Sequence, residues 1–204
     1  MKNSTLNYYE KNSREITEKY ENLDMKNLQQ KLIEVFSKED KLLELGCGSG
    51  RDAAFLISNG YDVLVSDGSQ SMLSEAIKLH PELNKKQCTI KLPGKIPFPK
   101  ETFSGVYAIA VLMHLEIKDI ELVLKEISRI LMKNGKFFFS VYIKENNKVE
   151  SIITPEGRFL THMSKDHWIT MCESSGFSLV TLLENPDVMG RDINWCSFFM
   201  RKRV

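Results

Sequence analysis

The 204-residue sequence is poor in cysteine, with Cys47, Cys88, Cys172 and Cys196. None of them forms a C-x-x-C pair, and the four histidines are not spaced to complete a zinc site, so no metal centre is expected. Reduced thiols in a cytoplasmic protein are the simplest reading. Net charge is also scarce: 28 Lys and Arg stand against 27 Asp and Glu, leaving +1. Such a chain has no strong field to draw it to nucleic acid or to an anionic membrane, which disfavours an RNA partner without excluding one. No apolar run reaches the length that spans a bilayer, and the opening MKNSTLNYYEKNSRE has no apolar signal core. Repeats and low-complexity linkers are lacking too, so a single domain over residues 1–204 is expected. What is present is ordinary for a globular protein: 42% hydrophobic and 27% charged residues, in a chain long enough for one sizeable core.

Leu28, Leu32, Val35 and Phe36 recur at helical spacing, and residues 5–37 read as helical. KLLEL (41–45) is a short apolar strand. SGRDAAFLISNG then reads as a helix that Gly60 stops. YDVLVSD is a second strand, and SQSMLSEAIKLH a helix halted by Pro81. QCTIK is a weak third strand, PGKIPFPKE a proline-punctuated loop, and FSGVYAIAV a buried fourth strand. Residues 117–132 place Ile117, Ile120, Val123, Leu124, Ile127, Ile130 and Leu131 along one helix face. Asn134-Gly135 turns the chain into KFFFSVYI, a fifth strand. A polar stretch (144–163) precedes a helix near 165–175 and two late strands near 177–183 and 195–202. This alternation predicts an α/β fold: a Rossmann-like, doubly wound, mostly parallel sheet with helices on both faces. The last two strands need no crossover and are expected to pair antiparallel at the C-terminal edge. Three segments follow: a helical arm or cap (1–38), a core (39–142), and a polar loop with the final strands (143–204).

The stretch LLELGCGSGRDAAFL (42–56) raises the functional question. Gly46, Gly48 and Gly50 follow the first strand and open a helix, where a missing Cβ permits a tight turn and close approach by a ligand. The helix N-terminus favours negative charge. The spacing is G-x-G-x-G, not the dinucleotide G-x-G-x-x-G, and Arg51-Asp52 follow where a small residue would suit a pyrophosphate. A nucleoside with a compact zwitterionic tail fits better. Asp67, at the end of the second strand, can accept both hydroxyls of a ribose. Glu44 is placed to face an ammonium group.

LLELGCGSGRDAAFL, GYDVLVSDGSQSMLSEA, FSGVYAIAVLMHL and LMKNGKFFFSV together resemble the class I S-adenosylmethionine-dependent methyltransferases, and more narrowly a small bacterial branch with GCGSGRD. The resemblance covers about residues 40–142. It implies that Gly46, Cys47 and Gly48 line the methionine part of S-adenosylmethionine, that Asp67 holds the ribose, and that Gly68 and Met72 lie beside the adenosine. It further implies that Leu92 flanks the adenine and that Ala110 and Val111 sit near the sulfonium. The acidic residue that often follows the third strand is replaced by Leu92 and backbone.

Methyl transfer depends on holding nucleophile and methyl group in near-attack geometry, so a catalytic constellation is not obligatory. His114, after the fourth strand, is the candidate base or substrate contact; alternatively it orders its loop. Tyr9 belongs to an arm of the kind that folds over the cofactor. Arg51 and Arg14 are candidates to pair with the cofactor carboxylate. Arg158, Arg191 and Trp195, from the polar loop and the last strand, would suit a planar or anionic small-molecule substrate. The leading expectation is methylation of a small molecule, leaving S-adenosylhomocysteine. A wobble-uridine tRNA methyltransferase and a non-catalytic S-adenosylmethionine-binding module are the alternatives.

Overall fold

A computed structural model of the chain describes residues 3–144, 149–185, 187–191 and 193–204. Seven strands form one sheet: β1 (Lys41–Leu45), β2 (Asp62–Asp67), β3 (Gln87–Thr89), β4 (Phe103–Ile109), β5 (Leu131–Ile143), β8 (Phe177–Asn185) and β9 (Asn194–Lys202). Their order is β3-β2-β1-β4-β5-β9-β8. The first five run parallel, and β9 lies antiparallel between β5 and β8. The last strand is therefore inserted, and β8 forms the edge.

Strand alternation explains why both faces need cover. Phe137 and Phe139 enter one apolar cluster, together with Ile120, Val123, Leu124, Ile127 and Ile130 of α6 (Ile117–Ile130). Phe138 enters the other, with residues of α3 (Lys26–Val35), α4 (Arg51–Ser58) and α5 (Gln70–Leu79). Full burial of each such side chain stabilises by roughly 1.5–3 kcal/mol. The last helix, α7 (Lys165–Ser174), is capped by Ser164, whose hydroxyl accepts the His167 N–H, and it buries Trp168 and Cys172.

Two regions differ from the sequence expectation. Residues 5–37 break into α1 (Asn3–Lys11), α2 (Ser13–Glu21) and α3. At the first break Asn12 donates its side-chain amide to the Tyr8 carbonyl, a local bond that competes with helix continuation. The polar stretch 144–163 contains an antiparallel hairpin, β6 (Glu150–Ile153) with β7 (Phe159–His162). Thr154-Pro155-Glu156-Gly157 is its turn, with Gly157 at φ +90°. Residues 145–148 of that loop lie outside the described residues.

The chain runs outward from β1 to β3 and returns to place β4 on the other side of β1. The crevice beyond Leu45, Asp67 and Ile109 lies at this reversal, where open α/β sheets take ligands. The arm α1–α2 packs against α5, next to that crevice. Among the described residues no helix is long and apolar enough to cross a membrane.

Candidate active site

A cleft of about 340 Å³ occupies the crevice. That volume is in the range of small-molecule sites. One half is built at the first strand-to-helix corner. Gly46, Gly48 and Gly50 hold φ of +71°, +59° and +82°, the region that penalises a Cβ. A Cβ on Gly46 would lie 2.4 Å from Val111 Cγ2, and one on Gly50 2.4 Å from Leu83 Cδ1. Gly48 differs: a Cβ there would only touch the Tyr20 ring, at 3.5 Å, and both residues line the cleft.

Asp67 closes β2 and accepts the N–H groups of Gly48 (3.2 Å) and Ser69 (2.9 Å). Burial pushes its carboxyl up to about 6, and these backbone bonds pull the other way. Glu44 is 2% exposed and lines the same cleft. Its Oε2 has no close hydrogen-bond partner; the Tyr107 hydroxyl is its side-chain neighbour and pulls the carboxyl slightly down. Burial first, then the Asp52 charge, lifts the Glu44 carboxyl well above the carboxylate range. A buried carboxyl with capacity to spare suits a ligand that brings N–H groups. Met72, Ile90 and Leu92 make an apolar wall. Gly68 lets α1 close on that wall, since a Cβ there would meet Leu6 Cδ2 at 2.7 Å. Cys47 is buried and its thiol is pushed well up by that burial, so it packs rather than reacts. Ala110 holds φ +57° beside Val111, and both line the cleft.

The other half is assembled from the two ends of the chain. His114 is 2% exposed. Its Nδ1 lies 2.9 Å from the Phe159 carbonyl oxygen and its Nε2 3.1 Å from the Tyr9 hydroxyl. A carbonyl only accepts, so Nδ1 carries the proton and Nε2 accepts from Tyr9. Burial drives the His114 pKa down to about 4, which keeps the ring neutral. Phe159 in turn donates its N–H to Thr5 Oγ1 (2.8 Å), and Thr161 donates to the Leu115 carbonyl. The β6–β7 hairpin is thereby tied to α1 and to the turn after β4. Arg158, one residue before this anchor, stacks its guanidinium on the Tyr8 ring at 5.3 Å and lies within electrostatic reach of Tyr9 and Tyr20.

Four sequence-predicted residues have protein partners of their own. Arg14 points away from the cleft: its side chain is 84% exposed and paired with Glu18 one helical turn on. Arg51 lines the cleft, but its guanidinium is committed to both Asp52 oxygens (3.1 Å each) and to the Tyr20 carbonyl, where it ties α2 to the glycine corner. Arg191 reaches the rim and is held in a two-point pair by Asp187, at 3.1 and 2.7 Å. Trp195 donates its indole N–H to the same Asp187 (2.8 Å). Neither Arg191 nor Trp195 is a free grip.

Three residues that the sequence reading passed over matter here. Tyr20 spans from the Gly48 face to the tyrosine cluster. Glu10 accepts from the Ser69 and Ser71 hydroxyls and fastens α1 over the start of α5. Thr5 anchors the hairpin. The turn TPEG between ESII and FLTH is a hairpin signal that would have located Arg158 and its anchor.

Comparison with known proteins agrees with this geometry. Residues 43–139 match the Methyltransferase domain family. The ubiquinone biosynthesis O-methyltransferase of Pelagibacter ubique is 30% identical over 112 residues, covering 52% of this chain and 44% of that protein. The chain thus matches less than half the length of that relative. An uncharacterized methyltransferase of Schizosaccharomyces pombe is 28% identical over 185 residues, covering 80% of this chain and 70% of that one. Among solved structures, the Burkholderia thailandensis 1,6-didemethyltoxoflavin-N1-methyltransferase, with bound 1,6-didemethyltoxoflavin and S-adenosylhomocysteine, superposes with a TM-score of 0.84 at 16% identity. That superposition covers 98% of this chain and 88% of that one, and it shows a shared fold. The matched residues, 43–139, run from the first strand through most of the fifth, so the likeness to the Methyltransferase domain family falls on the Rossmann-like part of the sheet that builds the glycine corner.

Proposed function

We propose that the chain transfers a methyl group from S-adenosylmethionine to a small-molecule acceptor, leaving S-adenosylhomocysteine, and that it belongs to the small GCGSGRD branch of its class. The observation that carries this reading is the pairing of Asp67 and Glu44 across one glycine corner. Asp67 sits at a strand tip bonded to the Gly48 N–H, and Glu44 offers a buried carboxyl oxygen with no close partner. These groups fit the cofactor's functional groups: Asp67 as acceptor for ribose hydroxyls, Glu44 for the ammonium, and Met72 with Leu92 as an apolar wall for the base. When bound, S-adenosylmethionine supplies a methyl carbon made electrophilic by its sulfonium.

The chain's own part is positioning. Gly48, with no side chain, lets the ligand approach the backbone beside the Tyr20 ring. Glu10 fastens the arm over the site through Ser69 and Ser71, which limits water. Ala110 and Val111, on the turn after β4, stand between the two halves of the cleft.

Calorimetry with S-adenosylhomocysteine tests the reading. Saturable binding is expected, and a hundredfold excess over Kd should add about 2.7 kcal/mol to stability. Absence of binding overturns it. Transfer of labelled methyl from S-adenosylmethionine to a metabolite extract, but not to tRNA, is the second expected result. Label recovered only in tRNA would replace the small-molecule acceptor.

A further inference from the structure

Three arginines line the cleft, and their engagements differ. Arg51 is neutralised by Asp52, and Arg191 by Asp187. Arg158 has a looser carboxylate neighbour, Glu156, at 3.6 Å, and that carboxylate is itself half-exposed. The Arg158 Nε is buried and makes no hydrogen bond. What surrounds the guanidinium is aromatic: the Tyr8 face at 5.3 Å, the Tyr9 hydroxyl as a hydrogen-bonding neighbour, and Tyr20 nearby. The cage is held in place, because the flanking Phe159 is fixed by both its N–H and its carbonyl, to Thr5 and His114.

We propose that the half of the cleft around Arg158 takes a small planar acid as methyl acceptor, with its anionic group on Arg158 and its flat body among Tyr8, Tyr9 and Tyr20. The inference rests on the methyltransferase reading and narrows its substrate class.

Two physical arguments support it. A guanidinium whose buried N–H lacks an acceptor is under-satisfied, and a carboxylate or acidic enol supplies the missing charge-assisted bonds. Tyrosine faces hold flat rings by offset or edge contacts and tolerate the adjacent cation. The histidine of this half points the same way. His114 has its Nε2 occupied by the Tyr9 hydroxyl and is kept neutral by burial, so it orients Tyr9 and is a poor base. An acceptor that is already ionised in water needs no base.

The test is a binding titration, with and without saturating S-adenosylhomocysteine, using sodium benzoate against its neutral counterpart benzamide. Benzoate should bind saturably, at least tenfold tighter than benzamide. Arg158→Met should abolish that preference while leaving S-adenosylhomocysteine affinity within twofold. Arg158→Lys should keep the preference at reduced affinity. Equal binding of the two probes, no benzoate binding, or a preference that survives Arg158→Met overturns the proposal. The comparison of probes on the unaltered chain decides the matter even if a variant fails to fold. Failure of S-adenosylhomocysteine to bind, with the benzoate preference intact, would instead count against the methyltransferase reading alone.

Discussion

The two halves of the cleft are built from different parts of the chain and by different means. The corner around Gly46 to Asp67 comes from one strand–helix–strand unit. Its functional groups are backbone or sit at strand tips, and its geometry is dictated by the sheet. The half around Arg158 and His114 joins α1, α2 and the β6–β7 hairpin, which lie far apart in sequence. Side-chain bonds such as Tyr9 to His114 and Phe159 to Thr5 hold it together. Sites carried on loops and side chains can change without disturbing a sheet, whereas groups at strand tips are fixed by it.

The largest expected effect falls on the first half. Asp67→Ala removes the acceptor proposed for two ribose hydroxyls, each bond to a charged acceptor contributing about 1.5–3 kcal/mol. S-adenosylhomocysteine affinity should fall about a thousandfold in calorimetry, with an unchanged far-UV circular dichroism spectrum. A loss of tenfold or less would mean that the corner does not carry the cofactor, and the division between the halves would collapse.

This division also decided what could be read in advance. The alternation of strand and helix around the corner, and the places of the glycines, Glu44 and Asp67 in it, were legible because each rests on local spacing: a strand, a turn that needs bare backbone, a helix start. Arg51 was half legible. Its place was evident from sequence, but its commitment to Asp52 and the Tyr20 carbonyl depends on where α2 lands. Tyr20 and Thr5 left no periodic trace, since their partners come from elements brought together only by the fold. The hairpin was hidden by the shortness of its strands, four residues each, in which Ile152–Ile153 and Phe159–Leu160 stand side by side and give no apolar alternation. The insertion of β9 between β5 and β8 is likewise a pairing choice that the run of residues does not encode locally.

Gly46→Ala separates backbone strain from ligand contact within the first half. A left-handed φ costs a non-glycine residue about 1–2 kcal/mol, and the new methyl would collide with Val111. Denaturant unfolding should show about 3 kcal/mol of destabilisation, measured without any ligand. A variant as stable as the parent would show that the corner is more yielding than its packing implies.

His114 offers a smaller effect from the second half, seen in pH. Its folded pKa, about 4, lies below the ordinary 6.5, so the unfolded chain takes up the proton first as pH falls. Stability from this group is intact above 6.5 and is lost as pH drops toward 4. Asp67 acts with the opposite sign, because its pKa is raised to about 6: protonation between 6 and 3.8 favours the folded state. The two partly cancel in the parent protein. His114→Gln should therefore flatten the acid-side loss, by about 2 kcal/mol between pH 6.5 and 4 in urea melts. An unchanged slope would mean that His114 is hydrated and that the Tyr9–His114–Phe159 chain is not closed.

Arg14→Ala should do least. Its guanidinium meets Glu18 in a solvated, helical-turn pair, a kind of contact that contributes about 0.5 kcal/mol or less. Stability and S-adenosylhomocysteine affinity should both stay at parent values. Arg51→Ala makes the contrast: this side chain is only 17% exposed, and its loss leaves Asp52 beside Glu44 without its counter-charge. Two arginines that both precede an acid on a helix thus diverge because one faces water and the other joins the arm to the glycine corner. If Arg14→Ala weakened cofactor binding as Arg51→Ala does, the arm would reach the cleft through α2's outer face. The boundary between sheet-imposed and arm-imposed recognition would then have to move.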